Sequence, residues 1–442
     1  MTTKDNFGNA LTGASATSLV HYETAIRELQ CYINDPVASI DKALAASPDF
    51  VMAHVLKAYL HLLGTEPNAL PVARECWRAA SGLRATPRER QHVEAVRHLV
   101  EGRWHAAGRV LEDVAIEHPR DALALQAGHQ IDFFTGNSRM LRDRIARALP
   151  AWSMDMPGYH SLLGMHAFGL EETGDYRRAE KEGRKGIELE PRDGWAQHAV
   201  AHVLEMEGRQ KDGIVWMASN PETWSTDSFF AVHNWWHLAL YHLDLGEIER
   251  VLALFDGPIY GKRSGVILDM IDASALLWRL ALRDVDVGNR WADVARNWEP
   301  VATAGNYAFN DAHAMMAFVG AGNSKAVDAV LEAQAVAIGS DGDNAAFTRE
   351  VGRPVALAIK AFGEENYAET VRLLRPIRHI ANRFGGSHAQ RDILDLTLIE
   401  AAFRSGEKAL ATALAAERIE VKPTSPLARL FVSRANSMAE AA

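Results

Sequence analysis

Cysteine is almost missing from this chain: Cys31 and Cys76 are the only two in 442 residues. They could form one bridge, but not the disulfide framework of a small secreted domain, and a reducing compartment suits them. Lys and Arg form no cluster, and the formal net charge is −10. A chain of that balance repels phosphate backbones, which argues against nucleic acid as a partner. No apolar run approaches the roughly 20 residues of a membrane span, so no membrane association is expected. The opening Met1-Thr2-Thr3-Lys4-Asp5-Asn6 lacks the apolar stretch of a secretory signal. A cytoplasmic location is therefore expected by elimination. Convincing period-two strands are missing as well. So are a Gly-rich phosphate loop, a dinucleotide fingerprint, a Gly-x-Ser-x-Gly elbow and a His-Glu-x-x-His helix. Those absences remove several familiar routes to catalysis.

What is abundant is helix-forming material. Hydrophobic residues make up 48% of the chain and charged residues 24%, enough for a large core under an ordinary surface. Prolines fall almost entirely between apolar-periodic stretches. The segment Tyr159 to Asp193 places Ala167, Gly174, Tyr176, Ala179 and Pro191 at the offsets of a tetratricopeptide hairpin, a unit of about 34 residues. Small residues let two antiparallel helices approach, glycine takes the turn, and proline ends the second helix. Ala95, Gly102, Trp104, Ala107 and Pro119 repeat those offsets. Ala201, Gly208 and Gly213, then Ala239 and Gly246, repeat part of them. Weaker copies lie around Asp35–Pro48, Gly136, Gly322, Gly363 and Gly406. The expected fold is all-α: an α-solenoid, a right-handed superhelix of tetratricopeptide-type helix-turn-helix repeats. Residues 1–20 are expected as a flexible N-terminal segment and 21–442 as one continuous array, with the best repeats at 88–121, 159–193, 194–227 and 228–260.

The first helix of each tetratricopeptide hairpin lines the concave face. With Gly208 setting the register, the helix Trp195 to Met206 points His198, His202 and Glu205 inward. With Gly246 setting it, Ser228 to Leu245 points His233, Trp236 and His237 the same way. The preceding rung adds Phe168 and Glu171. Histidines one helical turn apart can chelate a divalent metal such as zinc, and a nearby carboxylate can complete the site or act as a base. The expected metal ligands are His198, His202, His233 and His237. Glu205, His202 and His237 are candidate acid–base groups, and Trp236 is a candidate pocket wall. His242 falls on the packing seam and reads as structural.

Lesser candidates follow. Asp269 and Asp272 lie one turn apart in the otherwise apolar stretch Val266–Leu282, which also holds Ser274 and Arg279; acids in such a run need partners. Phe309-Asn310-Asp311-Ala312-His313 opens another helix, where Asn310 or Asp311 serves either as a cap or in a site. Ser387-His388-Ala389-Gln390-Arg391-Asp392 follows two glycines, and capping competes there with anion binding. Ser340-Asp341-Gly342-Asp343-Asn344 reads as a solvated turn, since its spacing is wrong for a calcium loop.

Taken together, Ala196–Met206, His233–Tyr241, Phe309–His313 and Gly385–Asp392, with Gly288-Asn289-Arg290-Trp291 and Lys422-Pro423-Thr424-Ser425-Pro426, resemble the tetratricopeptide repeat protein 38 family. The likeness runs from about Tyr159 to the C-terminus. The resemblance implies the helical-repeat fold and matches the motifs that carry His198, His202, Glu205, His233, His237, Asn310, Asp311, His313, Arg391 and Asp392. It names no substrate.

Two functions are thereby in competition. In the first, the inner face is a small-molecule site, a metal-assisted or His/carboxylate hydrolase or lyase. Glu205 or a histidine is then the base, Asp311 and His313 join from later rungs, and Arg391 holds an anionic group. Glu171, Asn310, Asp392, Asp269 and Asp272 contact substrate. In the second, the groove is a non-catalytic scaffold for a protein or peptide. A homodimer through the apolar end Leu427 to Val432 is a further option.

Overall fold

The computed structural model describes residues 3–438. Helices follow one another along the whole described chain, and the only sheet among the described residues is a two-residue ribbon pairing Thr3–Lys4 with Ala10–Leu11. Both cysteines are free thiols and buried. No described helix is long and apolar enough to cross a membrane. Contacts divide the chain into two compact units. The first holds residues 3–200 with Asn220–Ala231 and Asp341–Asp343; the second holds Ala201–Ser219, Val232–Ser340 and residues 344–438.

In the first unit the hairpin Tyr159–Glu171 and Tyr176–Leu189 follows from its sequence. Gly174 adopts φ +84°, a left-handed conformation that costs glycine nothing, and reverses the chain. Asp175 then caps the second helix by accepting from the Arg178 amide. Ala167 and Ala179 are fully buried at the helix–helix contact. Pro87–Val100 and Trp104–Glu117 form the same hairpin around Gly102. The core between such hairpins is aromatic: Tyr32 stacks on Trp195 at 5.5 Å, and Phe168 lies 4.9 Å from Trp195. Thr3–Lys4 and Ala10–Leu11 form the ribbon, and Ala16–Cys31 follows as a helix with a Ser15–Ser18 capping box.

The second unit continues with antiparallel helix pairs. Ile267–Ala281 is followed by Arg290–Trp298, Ala308–Gly320 by Ser324–Ile338, and His388–Arg404 by Lys408–Val421. Gly208, Gly246, Gly322 and Gly406 sit in the turns with positive φ. Gly363 does not. It is the last residue of Arg353–Gly363, with its α-carbon against the Val319 side chain, and Glu365 takes the left-handed turn position. Close approach is the reason for glycine at Gly213, where a Cβ would fall 2.3 Å from the Tyr241 ring. Leu427, Ala428 and Phe431 are buried within the chain, so the apolar run proposed for a dimer leaves Leu430 as its exposed member.

A candidate histidine–carboxylate site

The helix Gly194–Met206 carries Val203, Leu204 and Ala201 on its packing side, all fully buried, which turns His202 and Glu205 toward the helix Ala231–Leu245. That second helix starts at Ala231, not Ser228. The Ser228 hydroxyl donates to the Tyr32 carbonyl at 3.0 Å, and Ser228 bridges Ile33, so the chain is held extended there. Tyr241 anchors the two helices by donating from Oη to the Ala201 carbonyl.

Three imidazoles meet in the second unit. The His202 and His237 rings are 4.5 Å apart, and the His233 and His237 rings 5.0 Å. One ring nitrogen from each lies within 4.8 Å of the others. Each of two rings faces a carboxylate. His233 Nδ1 lies 3.0 and 2.9 Å from the two oxygens of Asp272, and His237 Nδ1 lies 3.3 Å from Glu205 Oε2. Burial, followed by the neighbouring imidazoles, pushes His202 and His237 well below the ordinary histidine range, so both are neutral near pH 7.

The carboxylates are held in turn. Lys422 Nζ is 3.5 Å from Glu205 Oε1. Its loop is docked by Thr424, which donates to the Gly208 carbonyl at 2.9 Å, and by Ser425, which donates to Asp244 at 2.6 Å. Asp272 belongs to Ile267–Ala281, and two turns along that helix stands Arg279. Its guanidinium lies 5.2 Å over the Trp236 ring and donates to the carbonyls of Ala389 and Ala275 at 2.6 and 3.2 Å. No carboxylate among the described residues pairs with it, and burial pulls it down to about 10. Trp236 itself is fully buried, stacked on His233 at 5.3 Å and edge-on to His237 at 5.0 Å. Its indole N–H finds no acceptor among the described residues.

The remaining expected site residues are held as follows. His198 is in the first unit, stacked on Phe168 at 5.3 Å and 4.8 Å from Trp195. Glu171 is fully buried in the same unit. Asp269 is half-buried in the first turn of its helix. Asn310, Asp311 and His313 are buried in Ala308–Gly320, and neither Asn310 nor Asp311 is its cap. The Asn344 side chain takes that role by accepting from the Ala308 amide at 2.8 Å. Asp311 turns to Gln334 on the paired helix, and burial raises its carboxyl to about 7. His313 donates from Nδ1 to the Phe309 carbonyl at 2.8 Å, and burial lowers it to about 4. Arg391 donates to the Gly386 carbonyl. Asp392 is taken by Arg418, which grips both its oxygens at 2.6 and 3.0 Å. Ser387 forms a capping box with Gln390, so the helix start after the two glycines is capped by its own chain. His242 pairs with Glu247 beside its own turn.

Two groups of the site, Arg279 and Lys422, stand outside the residues expected there. Arg279 carried a usable signal, since it lies on the Asp272 face of an apolar helix. Lys422 carried none, because its position depends on a loop docking far along the chain.

The fold defines an all-α helical-repeat protein of the tetratricopeptide type, each unit built of stacked antiparallel hairpins. No family model matches the chain. Among solved structures, a monomeric IFIT1 mutant with Gppp-AAAA aligns over 96% of this chain and 96% of its own, at 12% identity and a TM-score of 0.39. The APC/C hetero-tetramer Cut9-Hcn1 aligns over 95% of this chain and 96% of its own, at 11% identity and a TM-score of 0.30. The hairpins themselves, not these distant likenesses, establish the fold.

Proposed function

We propose that the second unit's cluster binds a small molecule together with a divalent metal such as zinc, held by His202, His233 and His237, and supports a hydrolytic or lyase-type step. The observation that carries this reading is the carboxylate behind each of two converging imidazoles, Asp272 behind His233 and Glu205 behind His237. Metal-binding histidines are held in that manner: a carboxylate on Nδ1–H fixes the tautomer and aims Nε2. Neutral imidazole is also the form that ligates, so the lowered basicity of His202 and His237 supports the reading.

A bound divalent ion would polarise a substrate oxygen or a water. Glu205 is the assigned general base, and Lys422 flanks its second oxygen. The anionic group, expected on Arg391, is assigned here to Arg279, a buried cation with only neutral acceptors and the Trp236 face. The resemblance to the tetratricopeptide repeat protein 38 family supports His202, Glu205, His233 and His237 without naming a substrate.

Elemental analysis of the purified, untagged protein tests this, with the His202→Ala, His237→Ala double variant alongside. A metal content that drops by about one equivalent from the wild type to the double variant is the expected result. Metal in neither would remove the ligand assignment and favour the scaffold, with a protein or peptide in the groove.

A further inference from the structure

We propose that Cys31, His160 and Glu190 form a second metal site in the first unit, one with a thiolate ligand. Three separate segments bring these residues together: Cys31 ends the helix Ala16–Cys31, His160 is in the first turn of Tyr159–Glu171, and Glu190 caps the C-terminus of Tyr176–Leu189. One ligand atom of each lies within 4.8 Å of the other two. His160 is already oriented for ligation. Its Nδ1–H donates to Asp193 Oδ2 at 2.7 Å, leaving the lone pair on Nε2. Asp193 is itself fixed, fully buried, with Oδ1 accepting from the Trp195 and Ala196 amides at 3.0 and 2.9 Å.

The donor set selects the ion. Thiolate, imidazole and carboxylate together suit zinc, cobalt or ferrous iron, whereas magnesium and calcium prefer all-oxygen cages. Metal–sulfur and metal–nitrogen bonds run near 2.3 and 2.0–2.1 Å, so ligation draws the three atoms inward by an amount on the order of 1 Å. Arg27 is the competitor: its guanidinium holds Glu190 at 2.9 Å. It is also half exposed, free to swing outward when the ion takes the carboxylate. The thiol gives up its proton to solvent as the sulfur–metal bond forms.

A second observation points to a ligand at this place. His160 and Glu190 line a cavity of about 610 Å³ in the same unit, as do Glu28 and Gln30. Glu28 is 7% and Gln30 5% exposed, yet Glu28 Oε2 and Gln30 Nε2 have no hydrogen-bond partner among the described residues. A buried acceptor and donor left over in the cavity that His160 and Glu190 line are suited to a water or a small polar ligand there.

Cobalt titration of the metal-stripped full-length protein tests the site, in the wild type and in the His202→Ala, His237→Ala background that removes the other cluster. A thiolate-to-cobalt charge-transfer band should grow in both, reaching full height at one equivalent in the double variant and by two in the wild type, where the histidine cluster also takes cobalt. Cys31→Ser should abolish it, Cys76→Ser should leave it, and Asp193→Asn should weaken cobalt binding by about 10–100-fold. Absence of the band in both parents, or a band that survives Cys31→Ser, overturns the assignment.

Discussion

The two units treat buried polar groups differently. In the first, the largest buried charges are closed into pairs. Arg144 grips Asp132 through two hydrogen bonds of 2.7 and 3.1 Å, with side-chain exposures of 1% and 6%. Arg88 and His92 both bond Asp121, whose carboxyl stays well below its ordinary range against the burial that would raise it. The second unit has closed pairs too, such as Arg418 with Asp392. Its interior, however, also gathers three imidazoles, and a guanidinium that meets only carbonyls and an indole face. Desolvated polar groups that do not neutralise one another are costly. Closed pairs are what a stable core requires, and polar groups left without a neutralising partner are what a binding site requires.

The contrast can be broken at its strongest point. Arg144→Leu leaves Asp132 buried and unpaired, and should cost about 3–5 kcal/mol in denaturant unfolding. A loss under 1 kcal/mol would mean that the pair is not structural. Acid should act on the second unit through its buried imidazoles, as it acts on the first through His129, which burial lowers to about 3. His202 and His237 have depressed pKa values in the folded state, so the unfolded chain binds more protons than the folded one below about pH 6.5. Their contribution is intact above that pH and lost as pH falls, by up to about 1.4 kcal/mol per histidine per pH unit. Urea midpoints of metal-stripped protein should therefore fall more steeply between pH 7.5 and 5.5 in the wild type than in the His202→Ala, His237→Ala variant. Equal slopes would place both imidazoles in water.

Smaller changes sharpen the comparison. Asp272→Asn should weaken zinc binding by about 10–100-fold, read by competition with a chelating dye, while leaving the unfolding midpoint nearly unchanged. Tyr241→Phe should do the reverse. It removes one buried hydrogen bond to Ala201, worth about 0.5–1.5 kcal/mol, and should leave zinc affinity unaltered.

The hairpins were legible because their signals are local. Gly174, Ala167 and Ala179 encode a turn and a close contact at fixed offsets, and the helices fall where those residues put them. Gly363 misled because glycine also serves close packing, here against Val319. Helical spacing placed His233 and His237 on one face, since one turn separates them. What it could not carry is which partner each face meets. Asp272 reaches His233 from the next helix pair, and Lys422 reaches Glu205 through the docking of Thr424 and Ser425. Arg391 and Asp392 sat at a helix start with the composition of an anion site, but a backbone carbonyl and Arg418 engage them. The division into two units left no mark in composition, because the chain crosses from one to the other inside the helix Gly194–Met206.

The most direct test of the central claim is X-ray absorption at the zinc edge on the Cys31→Ser protein loaded with one equivalent of zinc. The expected spectrum has a nitrogen/oxygen shell at about 2.0–2.2 Å with the multiple scattering of several imidazoles, and the His202→Ala, His237→Ala substitutions abolish it. Failure to retain zinc, or a spectrum unchanged by those substitutions, would contradict a metal centre on the second unit's histidines.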